Sequence, residues 1–134
     1  MTYKLYTDGG SRGNPGPGAI GIVLINGAGE VIYEMAKYIG ECTNNEAEYL
    51  GILFGLKAAQ ERDVSNLDVF MDSELVIKQL KGDYKVKNAR LIKICNEVKS
   101  ISANFNKISF THVKRVNNKM ADSLVNEALD QNGF

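Results

Sequence analysis

Bulk charge of either sign is missing from this sequence: 16 basic and 16 acidic residues give a formal net charge of zero. That balance argues against a protein that grips nucleic acid by overall charge. Cysteine is scarce. Cys42 and Cys95 are too few and too far apart for a disulfide framework or a zinc site, and both read as reduced thiols. No apolar run reaches the roughly 18 residues of a membrane span. The amino terminus lacks the basic segment, apolar core and small-residue cleavage site of a signal peptide, so the expected location is cytoplasmic, with no membrane involved. Internal repeats, linkers and low-complexity segments are absent. The residues after the opening turn read as a strand rather than a phosphate-binding helix, which disfavours a dinucleotide-binding fold. The length of 134 residues fits a single domain over 1–134, with ordinary globular contents of 44% apolar and 24% charged residues.

Local charge is present where bulk charge is not. Lys78, Lys81, Lys85, Lys87, Arg90 and Lys93 face the single acid Asp83, and Lys107, Lys114, Arg115 and Lys119 face none. Such asymmetry suits a solvated surface and equally a face that tracks phosphates.

The chain opens with a strand pattern, Tyr3 to Thr7, followed by Asp8 and a stretch rich in glycine and proline (Gly9 to Gly18) that reads as a turn. Apolar runs at Gly18–Ile25 and Val31–Tyr38 predict an antiparallel meander with the first strand. From Asn45 to Glu61 the apolar spacing becomes helical, with Thr43 or Asn44 as cap. Glu46 and Glu48 stand in the first turn of this helix, where the dipole favours acids. Asn66–Met71 reads as a strand and ends on Asp72. The intervening helix makes it a crossover, parallel to the first strand, so Asp8 and Asp72 project from one edge of the sheet. Short helices come next, from Ser73 to Leu80 and from the cap Asn88 to Ser102. Lys107–Val113 alternates as a fifth strand, and a last helix from about Asn118 buries Ala121, Leu124, Val125 and Ala128 with Asp122 in its first turn.

Carboxylates gathered together repel unless protons or cations intervene, so a cluster at neutral pH implies raised pKa values or a bound metal. Hard divalent ions such as magnesium take a few carboxylates, with waters and substrate phosphates completing the shell. Two such ions can activate a water and stabilise the leaving oxygen of a phosphodiester. General acid and base work on a sugar is the alternative for paired acids, but it leaves the two basic stretches without a role.

Four segments carry a resemblance: Tyr6 to Ala19, Thr43-Asn44-Asn45-Glu46-Ala47-Glu48-Tyr49, Met71-Asp72-Ser73 and Asn118-Lys119-Met120-Ala121-Asp122. In order and spacing they resemble the signature blocks of type 1 ribonuclease H. The resemblance implies an α/β fold of the ribonuclease H-like kind: a five-stranded mixed sheet, three antiparallel strands then two parallel ones, flanked by helices. It implies hydrolysis of the RNA strand of an RNA/DNA hybrid, leaving 3′-hydroxyl and 5′-phosphate ends. Asp8, Glu48, Asp72 and Asp122 match the family's catalytic, metal-binding carboxylates, holding two Mg2+ or Mn2+ ions when substrate is bound. Asn14, Asn44 and Asn45 match positions near the substrate, with Ser73 a weaker match. Their local alternatives are turn formation, helix capping and a helix start. A monomer with no obligatory protein partner is expected.

Two departures shape the expectation. Only Gly82 to Asn88 stands where many bacterial relatives carry a basic helical protrusion, so Lys85 and Lys87 would bear more of the phosphate binding, as in a compact branch of the family. His112, the sole histidine, is ten residues before Asp122, which fits the family's mobile loop histidine for proton transfer or product release. Strand alternation instead puts it inside the fifth strand, leaving Arg115 as the loop base that meets phosphate. A hybrid-binding module without turnover and a DNA-directed nuclease on the same scaffold are the rival readings.

Overall fold

The computed structural model describes all 134 residues. A five-stranded sheet has the order β3-β2-β1-β4-β5, built from β1 (Tyr3–Ser11), β2 (Gly16–Ile25), β3 (Val31–Cys42), β4 (Asn66–Met71) and β5 (Lys107–His112). The β1–β2 and β2–β3 pairs are antiparallel, and β1–β4 and β4–β5 are parallel. The mixed sheet expected from the sequence is therefore present, with four helices: α1 (Asn44–Glu61), α2 (Glu74–Leu80), α3 (Ala89–Ser102) and α4 (Lys119–Gln131). None of these is long and apolar enough to cross a membrane.

The apolar run of β2 explains the layering. Residues Ala19, Ile20, Ile22, Val23 and Leu24 are all fully buried, which requires cover on both faces of the strand. On one face α1 packs against β1 and β2, and α3 packs against α1. Leu5, Ile20, Ile22, Tyr49, Ile52, Leu56 and Val98 belong to this main core. On the other face α4 packs across β1, β2 and β3, with Val125, Ala128 and Leu129 against Ala19. Leu129 takes the buried place expected for Leu124, which is only half-buried.

The opening strand departs most from expectation. It does not break after Thr7. β1 continues through Asp8, Gly9 and Gly10 to Ser11, paired with Gly21, Ile20, Ala19 and Gly18 of β2. The turn is confined to residues 12–15, β2 starts two residues early at Gly16, and β3 runs on to Cys42. Glycine in this stretch serves packing. A Cβ on Gly9 would overlap the Ala47 carbonyl of α1, and one on Gly21 would overlap the Ala121 carbonyl of α4. Each glycine thus lets a helix backbone lie directly on the sheet, and neither could be met by a side chain without displacing a helix.

Helix ends follow their caps. Thr43, not Asn44, caps α1: its hydroxyl accepts Glu46 N–H at 3.1 Å while Glu46 accepts Thr43 N–H at 3.0 Å. Asn44 and Asn45 are thereby free of the capping role. Ser73 caps α2, Asn88 caps α3, and Gly82 ends the α2 turn at φ +86°. The connection from Lys81 to Asn88 is as short as the sequence indicates.

Packing at the two glycines makes unequal demands, which gives a test. Gly10 has only ordinary contacts for an added Cβ, at 3.5 Å from Asn44 Oδ1 and 3.8 Å from Val125 Cγ1. Gly9→Ala is expected to lower the unfolding free energy by about 3 kcal/mol or more, because backbone must move. Gly10→Ala should stay within about 1 kcal/mol of the parent. Urea unfolding measures both, and equal losses would contradict the packing assigned to Gly9.

Candidate active site

Four acids, from β1, α1, α4 and the residue just beyond β4, meet at one open cleft of about 330 Å3, lined by Asp8, Glu48, Asp72 and Asp122 together with Asn44 and Arg115. Each arrives by a distinct local cause. Asp8 sits within β1, on the face opposite Gly9, beside the α4 contact at Gly21. Glu48 follows Ala47, the residue pressed onto Gly9. Asp72 is the first residue beyond β4, whose parallel pairing with β1 runs to Tyr6 opposite Phe70 and so carries Asp72 alongside Asp8. Asp122 follows Ala121, the residue pressed onto Gly21. The α4 start is further tied to β1 by Asn118, 1% exposed, whose Nδ2 donates to the Thr7 carbonyl at 2.9 Å.

Burial and mutual repulsion dominate the electrostatics. The Asp8 carboxyl is pushed up to about 8, first by burial and then by the charges of Asp72 and Asp122. Glu48 is pushed up to about 7 by burial, against the hydrogen bonds from Ser73 and Asn44 that favour its charge. Asp72 is raised as well, mainly by burial, with Arg115 and His112 pulling the other way. Asp122 pairs with Arg115 Nη2 at 3.3 Å.

Asn44 is the junction of this region. Its N–H donates to Asn14 Oδ1 at 3.1 Å, its Oδ1 accepts Ser11 N–H at 3.3 Å, and its Nδ2 reaches Glu48 Oε1 at 3.4 Å. Asn14 therefore stands at the cleft's rim through Asn44. Asn45, Lys85, Lys87 and His112 do not line the cleft. His112 is the last residue of β5 and exposed, so the strand placement holds over the loop placement. Lys85 and Lys87 are exposed on the 81–88 connection, where Lys85 flanks a second groove between α2 and α3. Ser11, Arg12, Val125, Asn126 and Leu129 also line the acid cleft, although the sequence reading assigns none of them to the site. Arg12 alone carries a visible signal, a cation inside the glycine-rich stretch; it pairs with Asp130 at 2.7 Å and with the Phe134 carbonyl.

Donor chemistry fits a hard divalent cation: four carboxylates, no thiol and no imidazole among the cleft lining. As the side chains stand, no three such groups are gathered tightly enough to grip one ion. Arg115 is paired with Asp122, and Asn44 donates to Glu48.

Raised carboxyl pKa values make stability depend on pH with a definite sign. The folded chain holds protons on Asp8 and Glu48 that the unfolded chain releases near 3.8 and 4.5. Their contribution is thus full below those values and is lost as pH rises through about 7 and 8. In EDTA, Tm is expected to fall between pH 5 and pH 9, and Asp8→Asn should flatten the fall, recovering on the order of a few kcal/mol at pH 9. A parent protein whose Tm is level across this range would contradict the burial of Asp8.

Comparison with known proteins accords with this geometry. A family model described as reverse transcriptase-like matches residues 6–128. The chain is 42% identical to ribonuclease HI of Halobacterium salinarum over 93% of its own length and 63% of that protein's. It is 39% identical to the bifunctional protein Rv2228c of Mycobacterium tuberculosis over 97% of this chain and 36% of that one. It thus spans less than two thirds of these relatives. The crystal structure of RNase H1 from the same Halobacterium superimposes with a TM-score of 0.95 at 40% identity, covering 98% and 99% of the two chains. A structure of LC11-RNase H1 in complex with RNA/DNA hybrid, at 39% identity and 97% and 98% coverage, gives 0.91. With a model match along nearly its whole length and the same fold at this level of identity, the chain belongs to the type 1 ribonuclease H family.

Proposed function

We propose that this protein is an endonuclease that hydrolyses the RNA strand of RNA/DNA hybrids by a two-metal-ion mechanism, leaving 3′-hydroxyl and 5′-phosphate ends. The observation that carries the reading is the convergence of Asp8, Glu48, Asp72 and Asp122 on one open cleft. The hybrid complex of LC11-RNase H1, at 39% identity, supports the substrate class.

In this reading Asp8 is the central acid, flanked by Asp72 and by Asp122 from α4, with Glu48 at the α1 side. Magnesium or manganese bound there would offset the carboxylate charge, lower the pKa of an attacking water and stabilise the leaving oxygen. The high proton affinity of Asp8 and Glu48 has a matching meaning: a proton and a cation compete for the same oxygens. Arg115, which pairs with Asp122, would be the base of this region that meets a substrate phosphate. Asn14, Asn44 and Asn45 meet the hybrid's backbone and the 2′-hydroxyls of its RNA strand, which lie in a wide, shallow groove within reach of short polar side chains. Ser73 acts on Glu48 through its hydroxyl and on the start of α2 through its cap. Lys85 and Lys87 bind phosphates away from the cleft. His112, at the end of β5 and near Asp72, serves proton transfer or product release. No membrane or obligatory protein partner enters this scheme, in which a cytoplasmic monomer suffices.

Cleavage of labelled hybrid, single-stranded RNA and duplex RNA in magnesium tests the proposal. Hybrid should be cut, and Asp8→Asn or Asp72→Asn should each slow cutting at least about a hundredfold while hybrid still binds. Binding without any cutting by the parent protein would instead favour a module that has lost turnover. Efficient cutting of branched DNA without cutting of hybrid would favour a different nuclease. Replacing Lys85 and Lys87 together by alanine should weaken hybrid binding and reduce the slope of log affinity against log salt by about one to two units. An unchanged slope removes both lysines from the phosphate face.

A further inference from the structure

Glu46 spends both carboxylate oxygens inside the chain. Oε1 accepts the Thr43 N–H at 3.0 Å, and Oε2 accepts Arg90 Nε at 3.0 Å. The two partners differ sharply in exposure, 7% for the Glu46 side chain and 74% for that of Arg90. The pair therefore joins a buried acid in the first turn of α1 to a cation in the first turn of α3. Two functional segments meet across it. The α1 turn carries Asn44, Asn45 and Glu48, and the connection that leads into α3 carries Lys85 and Lys87.

The helices do not need this pair to dock. Leu91, Cys95 and Val98 of α3 pack in the same core as Tyr49, Ile52 and Leu53 of α1. Glu48 is separately held by the seating of Ala47 on Gly9 and by Asn44. What the ion pair adds is control of the two helix starts relative to each other. Resting on the hybrid-cleaving reading above, we infer that Arg90 is a positioning residue: through Glu46 it sets the basic 81–88 connection in register with the asparagines at the cleft's rim. A hybrid whose backbone is held by Lys85 and Lys87 then meets Asn44 and Asn45 without rearrangement of either helix start.

An exposed arginine could instead hold a phosphate directly, with Glu46 as its resting counterion. The two roles have opposite signatures. Positioning makes loss of either partner equivalent, since the same link is broken. Direct contact makes Glu46→Gln harmless or favourable, because it frees Arg90, whereas Arg90→Gln removes one phosphate contact.

Glu46→Gln retains an oxygen for the Thr43 cap while removing the charge that holds Arg90, so the helix cap and the ion pair can be separated. The experiment compares steady-state cleavage of labelled hybrid by the parent, Glu46→Gln, Arg90→Gln, the double variant and Arg90→Lys, with hybrid affinity measured against salt in the Asp8→Asn background. Either single change is expected to raise KM about fivefold with kcat within about twofold, and the double change should be no worse than either single one. Arg90→Lys should recover most of the loss, and the salt slope should be unaltered by Arg90→Gln. Additive effects, a parent-like KM in Glu46→Gln, or a slope lowered by about one unit in Arg90→Gln would overturn the inference. If the parent cleaves hybrid and every variant matches it, the inference alone fails. If the parent does not cleave hybrid, the functional reading fails first.

Discussion

Direct contact between helix backbone and sheet backbone is the constraint on which the molecule depends. At Gly9 and Gly21 no side chain separates β1 and β2 from the Ala47 and Ala121 carbonyls of α1 and α4. The next residue in each helix is an acid of the cleft, Glu48 or Asp122, while Asp8 precedes Gly9 and pairs with Gly21 across the strands. Two close approaches on opposite faces of one strand pair therefore fix three carboxylates with little freedom. Parallel pairing of β4 with β1 supplies the fourth.

The architecture explains why a site so rich in negative charge can exist in a folded protein. Main-core packing around β2 and Tyr49 is apolar and continuous, and it holds the acids together although their charges oppose it. Burial keeps protons on Asp8 and Glu48 to higher pH, and Arg115 offsets Asp122.

Much of this is legible in the chain itself. Strand runs, the helical spacing after Thr43, the parallel crossover and the acids at the edge of the sheet all follow from periodicity and from the four ordered blocks. The opening stretch misleads for a physical reason. Glycines in a row usually mark a turn, but Gly9 and Gly10 are strand residues whose missing side chains make room for a helix, and such a demand comes from the partner element rather than from local preference. Asn118 is hidden similarly: in the sequence it marks only the start of the last helix, whereas its side chain, which makes no capping bond, reaches the Thr7 carbonyl. Glu46 looks like a dipole acid and is a reciprocal cap joined to Arg90, a partner no local pattern could name.

The bond from Asn118 to Thr7 links residues 111 positions apart. Because α4 is the last of these elements to leave synthesis and carries Asp122, the cleft cannot be complete until nearly all of the fold's residues are available and this helix has seated against the first strand. Such distant pairings are slow to form compared with local ones. The complete cleft is consequently an all-or-none property of the finished topology: until α4 is seated against β1 it lacks Asp122, one of its four acids.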